Sequence, residues 1–170
     1  MVLHLKKDPF EVFDEISKIH ELYRLKPIIF FQVGDYGQFD KNISHKKKAF
    51  RKIIKQTAEK FTVGIHPSYN ASDYENPKHR DLLKNEIERL GEITGKPVKC
   101  SRQHFLRLSF PESYRLLTAH GIEQDYSMGY ASQNGFRAGT CTPFRFFDVI
   151  KNRTSTLRVY PFQLMAATFK

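Results

Sequence analysis

Short apolar runs in this chain end in polar clusters, and helix-like stretches separate most of them. Ile28-Ile29-Phe30-Phe31 runs into Gln32 and Gly34-Asp35. Val63-Gly64-Ile65 runs into His66-Pro67-Ser68-Tyr69. Val98-Lys99-Cys100 runs into Ser101-Arg102-Gln103-His104, and Gly121-Ile122 leads to Asp125-Tyr126-Ser127. Apolar runs this short suit strands buried on both faces. Strands that alternate with helices pair in parallel, and their carboxyl ends then share one face, where sites are built. The pattern predicts an α/β domain in which residues distant in sequence converge on one pocket.

Helix signals fill the gaps. Asp8-Pro9-Phe10-Glu11 reads as a helix start with Asp8 as cap, followed by Phe10, Phe13, Ile16, Ile19 and Tyr23 at helical spacing. Lys26-Pro27 ends it, because the residue before proline avoids the helical region. Ser44 is placed to cap a second helix carrying Phe50, Ile53, Ile54, Thr57 and Phe61. Asn76-Pro77 opens a third, with Leu82, Leu83, Ile87, Leu90 and Ile93, closed by Gly95. Ser109-Phe110-Pro111-Glu112 opens a fourth that runs through Leu117 to Gly121. Residues 125–144 are rich in Gly, Ser and Thr and read as a long functional loop. Leu157-Arg158-Val159-Tyr160 alternates before Pro161 and reads as a last strand. The order fits either an open doubly wound sheet or a barrel. Because the chain opens with a helix, a further strand beside 28–33 is expected upstream.

A net charge of +10 admits nucleic acid, anionic lipid or acidic glycan as partners. The charge is scattered, apart from Lys46-Lys47-Lys48 with Lys52 and Lys55 on one predicted helix, which reads as a solvated face. Neither GxGxxG nor GxxxxGK[ST] occurs, and no nucleic-acid motif is recognisable, so nucleic acid ranks last among partners. No stretch approaches the roughly 20 apolar residues of a membrane span. Met1 to Lys7 lacks the apolar core of a secretory signal, which sets a cytoplasmic expectation. Cys100 and Cys141 lack metal-site spacing and read as reduced thiols.

The polar clusters supply the candidate site residues. His66 stands at a strand end before a chain-breaking proline, which aims its imidazole into the mouth of the sheet, where it could bind a metal or move protons. Arg102-Gln103-His104 places a cation, an amide and an imidazole together, and Arg102 could clamp a carboxylate bidentately. Asp125 could pair with Arg102 or a histidine across the mouth, or serve as a turn aspartate. In Gly135-Phe136-Arg137-Ala138-Gly139-Thr140, Arg137 lies between small residues that let the backbone come close to an anion.

Taken in order, GIHPSY, SRQHFL, DYSMGY and GFRAGT resemble a divergent branch of the polysaccharide deacetylase (NodB-like, carbohydrate esterase) superfamily. The resemblance implies an irregular β/α barrel, here expected as one domain over 1–170 that forms part of a longer barrel lacking its first strand. It implies removal of acetyl groups from N-acetylated sugars with a divalent metal, zinc first among them. In the family's His-[Ser/Thr]-x-x-His motif, His66 takes the first place and Asn70 the second. The family's aspartates belong to a first strand that would precede Met1. By the same resemblance His104 is a candidate acid, Arg102 and Arg137 orient groups or stabilise an oxyanion, and Asp125 falls in the later aspartate motif. The terminal Leu-x-His motif has no counterpart in 161–170. The partner expected is a carbohydrate substrate or surface polysaccharide. The alternative is a catalytically inactive glycan-binding module, for which the 14% aromatic content supplies stacking surfaces.

Overall fold

A computed structural model describes residues 12–166. The predicted start of the first helix at Asp8 lies outside the described residues. Helix α1 covers Phe13–Leu22, and strand β1 covers Ile28–Phe31. They are followed by α2 (Lys48–Lys60), β2 (Thr62–Ile65), α3 (Leu82–Thr94) and β3 (Cys100–Ser101). Next come α4 (Glu112–Ala119), β4 (Gln124–Asp125), β5 (Phe144–Asp148) and β6 (Arg153–Val159). The strands form one six-stranded sheet in the order β1-β2-β3-β4-β6-β5. Every pairing from β1 to β6 is parallel, and β5 runs antiparallel along β6. The sheet does not close on itself: β1 and β5 form its two edges. The architecture is α/β, an open arc of the barrel type.

From β1 to β4 the helical gaps dictate this outcome, because a parallel partner needs a crossover and a helix provides it, whereas β4 reaches β6 through a loop and β5. Gly95 takes a left-handed conformation (φ 69°) at the end of α3, the role its position predicts. α2 and α3 bury Ile54, Leu83, Leu90 and Ile93 against Val33 and Ile65. α4 brings Tyr114 and Leu117 into the same core as Leu157 and Val159. β5 was not anticipated: 144–148 directly follows the Gly-rich stretch, and its half-exposed Phe144 and Phe146 signal a hairpin only once β6 is there to pair with it. A bidentate ion pair fastens that hairpin to α4, Arg115 Nε to Asp148 Oδ2 at 2.6 Å and Nη2 to Oδ1 at 2.8 Å. It holds the Asp148 carboxyl down at about 2.

One buried carboxyl positions the segment after β2. Glu86 of α3 is 1% exposed. The Ser68 backbone N–H donates to its Oε2 at 2.8 Å, and the Ser68 hydroxyl meets its Oε1. Gly34 must lack a side chain here, since a Cβ would come within 2.8 Å of Glu86 Oε1. Burial pushes the Glu86 pKa up to about 7, against the pull of the Ser68 hydrogen bonds. A folded-state pKa above the unfolded one means that the native state holds the proton more tightly. The resulting stability is complete below about 4.5 and is lost as pH rises through about 7. Glu86→Gln keeps the shape and removes the titration. Urea melts at pH 5 and pH 8 should show wild type losing more stability over that interval than the variant. Parallel losses would mean that Glu86 ionises as freely in the folded protein as in the unfolded chain.

Candidate functional site

The parallel ladder continues past the assigned strands, and this carries the polar clusters into one mouth. His66 N–H donates to Phe31 O at 2.9 Å, Arg102 N–H to Ile65 O at 3.0 Å, Tyr126 N–H to Ser101 O at 2.8 Å and Tyr160 N–H to Asp125 O at 2.8 Å. Residues just beyond β1, β2, β3, β4 and β6 therefore stand side by side.

His66 and His104 meet in this mouth. His66 Nδ1 donates to the Arg102 carbonyl at 2.6 Å. That bond leaves Nε2 of the neutral ring as the acceptor, and Nε2 faces His104 Nδ1 at 2.9 Å. The rings are nearly perpendicular, with centroids 4.9 Å apart. Burial, reinforced by the neighbouring His104 and Arg102, holds the His66 pKa down at about 4. The other nitrogen of His104 lies 3.2 Å from the Phe39 carbonyl and 3.8 Å from Asp40 Oδ1. Both His104 nitrogens thus face acceptors, and a chain of polar contacts runs from Asp40 through both imidazoles to the Arg102 carbonyl.

Asp40 anchors this chain. It is 4% exposed, takes a hydrogen bond from Gln32 Nε2 just beyond β1, and accepts the Tyr69 backbone N–H at 2.9 and 3.2 Å. Its loop is closed by Asn42 Nδ2 donating to the Gly34 carbonyl at 2.8 Å and by Gly37 N–H donating to the Asp40 carbonyl at 2.9 Å. Sequence reasoning marked Gln32 as a polar strand end but missed Asp40 and Phe39. Asp40 lies in a loop well past β1, where an aspartate reads as a turn residue; only its place after a strand end hinted at more.

An aromatic cluster flanks the histidines. Phe39 packs on Tyr69 with centroids 4.2 Å apart, and Phe105 stands edge-on to Tyr69 at 5.5 Å and to His104 at 4.5 Å. The Arg107 guanidinium lies 4.1 Å over the Tyr69 ring and donates to the Tyr69 carbonyl at 3.2 Å. Phe105 is 60% exposed. Phe105 and Leu106 also adopt positive φ (54° and 52°), a costly conformation for residues with side chains that is found where structure serves a site.

The remaining expected site residues are placed differently. The Arg102 guanidinium stacks 4.2 Å over the Phe162 ring; the Asp125 charge acts on it, without a close ion pair among the described residues. Asp125 does not pair with Arg102 or with a histidine. It is wholly buried beneath the mouth, where it accepts from Ser101 Oγ at 2.7 Å, Ser127 Oγ at 2.8 Å and Ser127 N–H at 3.0 Å. Burial raises its pKa, and those hydrogen bonds oppose the rise. Its role is to bind adjacent strand ends together. Arg137 donates to the Leu106 carbonyl at 3.3 Å and so braces the strained turn rather than facing open space. Asn70 is exposed on a 3-10 turn over Tyr69–Ser72.

These residues do not fit a metal ion. The free nitrogen of His66 is directed at His104, Asn70 is turned to solvent, and no three His, Cys, Asp or Glu side chains gather around one point among the described residues. A zinc site of this type takes three protein ligands.

Comparison with known proteins places the fold. No family model matches the sequence, and no curated protein matches it. A crystal structure from Mycobacterium smegmatis, of a protein assigned to the polysaccharide deacetylases, superposes with a TM-score of 0.62 at 14% identity, covering 89% of this chain and 45% of that one. IcaB from Ammonifex degensii gives 0.49 at 13% identity over 71% of this chain and 56% of that one. The polysaccharide deacetylase Bc1974 from Bacillus cereus gives 0.48 at 19% identity over 72% and 57%. The chain spans about half the length of these structures. Its open α/β sheet thus shares the fold of the Mycobacterium smegmatis structure over 89% of this chain.

Proposed function

We propose that the mouth at the strand ends is a carbohydrate site of the polysaccharide deacetylase type, which takes N-acetylated sugar and is built towards hydrolysis of its amide. One observation carries this reading: the linked pair His66–His104 lies directly beside the aromatic cluster of half-buried Tyr69 with exposed Phe39 and Phe105. Sugars present C–H faces that pack on aromatic rings, and their hydroxyls and amides take hydrogen bonds from neighbouring polar groups. Phe105 would bear on the sugar face, with Arg107 at the rim.

Amide hydrolysis adds water to the acetyl carbonyl and breaks the C–N bond; acetate leaves and the sugar amine takes a proton. The protein must accept one proton and return another. The neutral His66 ring, fixed by its Nδ1 bond to the Arg102 carbonyl, offers Nε2 as the acceptor, and His104 connects it to Asp40. No step is assigned to a metal, because the described residues do not assemble its ligands. A second reading, binding without turnover, is favoured by the contact that closes His66 Nε2 against His104 instead of leaving it open to substrate.

The two readings separate in one set of measurements on N-acetyl chitooligosaccharides. Release of acetate that disappears in His66→Ala and His104→Ala supports hydrolysis. Saturable binding with no acetate supports the second reading, and absence of binding removes both. Phe105→Ala should weaken binding about fivefold, corresponding to roughly 1 kcal/mol of lost stacking; unchanged affinity would move the sugar elsewhere. Histidine 15N spectra should show His66 Nε2 unprotonated from neutral pH until it titrates near pH 4. Because this pKa is depressed below the ordinary 6.5, the associated stability is present above 6.5 and is lost as pH falls towards 4. A midpoint near 6.5 would show a solvated ring and no link to His104.

A further inference from the structure

Away from the mouth, two arginines face each other directly across the antiparallel pair of β5 and β6. Arg145 pairs in register with Arg158. Both are exposed, while the residues flanking Arg158, Leu157 and Val159, are fully buried, so Arg158 projects from the face opposite the core. Like charges placed directly opposite each other destabilise a sheet. Neither arginine has a carboxylate partner among the described residues, whereas Arg115 on the neighbouring helix α4 has one in Asp148.

The pair opens into a cavity of about 490 Å³ that Lys99, Gln124, Thr156 and Tyr160 also line. The cavity runs along the strands from Lys99 and Glu123, which precede β3 and β4, to Tyr160 beyond β6, and neither His66 nor His104 lines it. Its one acidic side chain, Glu123, is neutralised by Lys99 at 2.7 Å. Gln124, in register with Arg158 on the parallel side, has its Oε1 occupied by the Tyr126 hydroxyl at 2.7 Å and approached by Cys100 Sγ at 3.7 Å. Its amide is therefore left with N–H donors. The cavity presents guanidinium and amide donors, while its best acceptors are already engaged.

We propose that Arg145 and Arg158 form an oxyanion site, holding one phosphate or sulfate group between their guanidinium forks with Gln124 as a further donor. Guanidinium forks match such groups bidentately, and an anion between them converts the mutual repulsion into attraction. The group could be a substituent on an acidic glycan or a free ion; the chemistry of the site is the same. This assignment is independent of the carbohydrate reading for the mouth.

The test is an NMR titration of the whole chain with inorganic phosphate at constant ionic strength. Saturable shifts at Arg145, Arg158, Gln124 and Tyr160 are expected. Arg145→Gln and Arg158→Gln should each weaken binding about tenfold, as expected for loss of one charge-assisted contact. The same variants should fold normally, since both positions are exposed on a sheet. Shifts that do not saturate, that centre on Lys46-Lys47-Lys48, or that persist unchanged in both variants would overturn the site. A second titration uses a sulfated oligosaccharide. Displacement of phosphate at much lower concentration assigns the anion to a glycan, and displacement only at matching sulfate concentration assigns it to the free ion.

Discussion

The Asp40 carboxylate holds the mouth together. It receives Gln32 from beyond β1 and the Tyr69 backbone from beyond β2, and it approaches His104 from beyond β3. Parallel strands bring their ends together only to within the spacing of the sheet. A buried acceptor common to several of those ends fixes the loops relative to one another as well. The histidine pair, the aromatic cluster and the strained turn at Phe105 and Leu106 all rest on loops that this carboxylate and its neighbours position.

Burial sets the chemistry of the ionisable groups here, and it acts in opposite senses on acids and bases. It drives Glu86 up to about 7 and His66 down to about 4. Both shifts favour the neutral form, as low-dielectric surroundings demand. Asp125 follows the same rule and is satisfied by serine donors instead of a cation. Asp148 escapes it because Arg115 meets it bidentately. The polar residues beneath the mouth are thus structural ties, and His66, His104 and the aromatic rings form the layer above them.

Much of this was legible in the residues. The strand ends at His66 and Arg102-Gln103-His104 follow from apolar runs that stop in polar clusters, and Gly95 and Gly121 mark helix ends by their permissive backbone (φ 69° and 79°). For Asp125 the turn reading holds, since it accepts the Ser127 N–H two residues on, and pairing across the mouth does not; a strand-end aspartate looks the same in sequence either way, and only the register of β3 with β4 brings Ser101 to it. Asp40 was invisible for a similar reason: its partners are a side chain, a distant backbone N–H and an imidazole from separate segments. β5 was missed because an edge strand's alternation is set by its partner.

The sequence by itself determined the alternation of strand and helix, and hence a parallel sheet with its polar clusters on one side, because hydrophobic period and turn residues act locally. It also determined which residue types reach that side. Tertiary structure alone decided their partners: that His66 turns to His104, that Arg102 stacks on Phe162, and that Arg145 confronts Arg158. Those contacts depend on strand register and loop path, which are settled by summed packing over the whole sheet and leave no local signature in the chain.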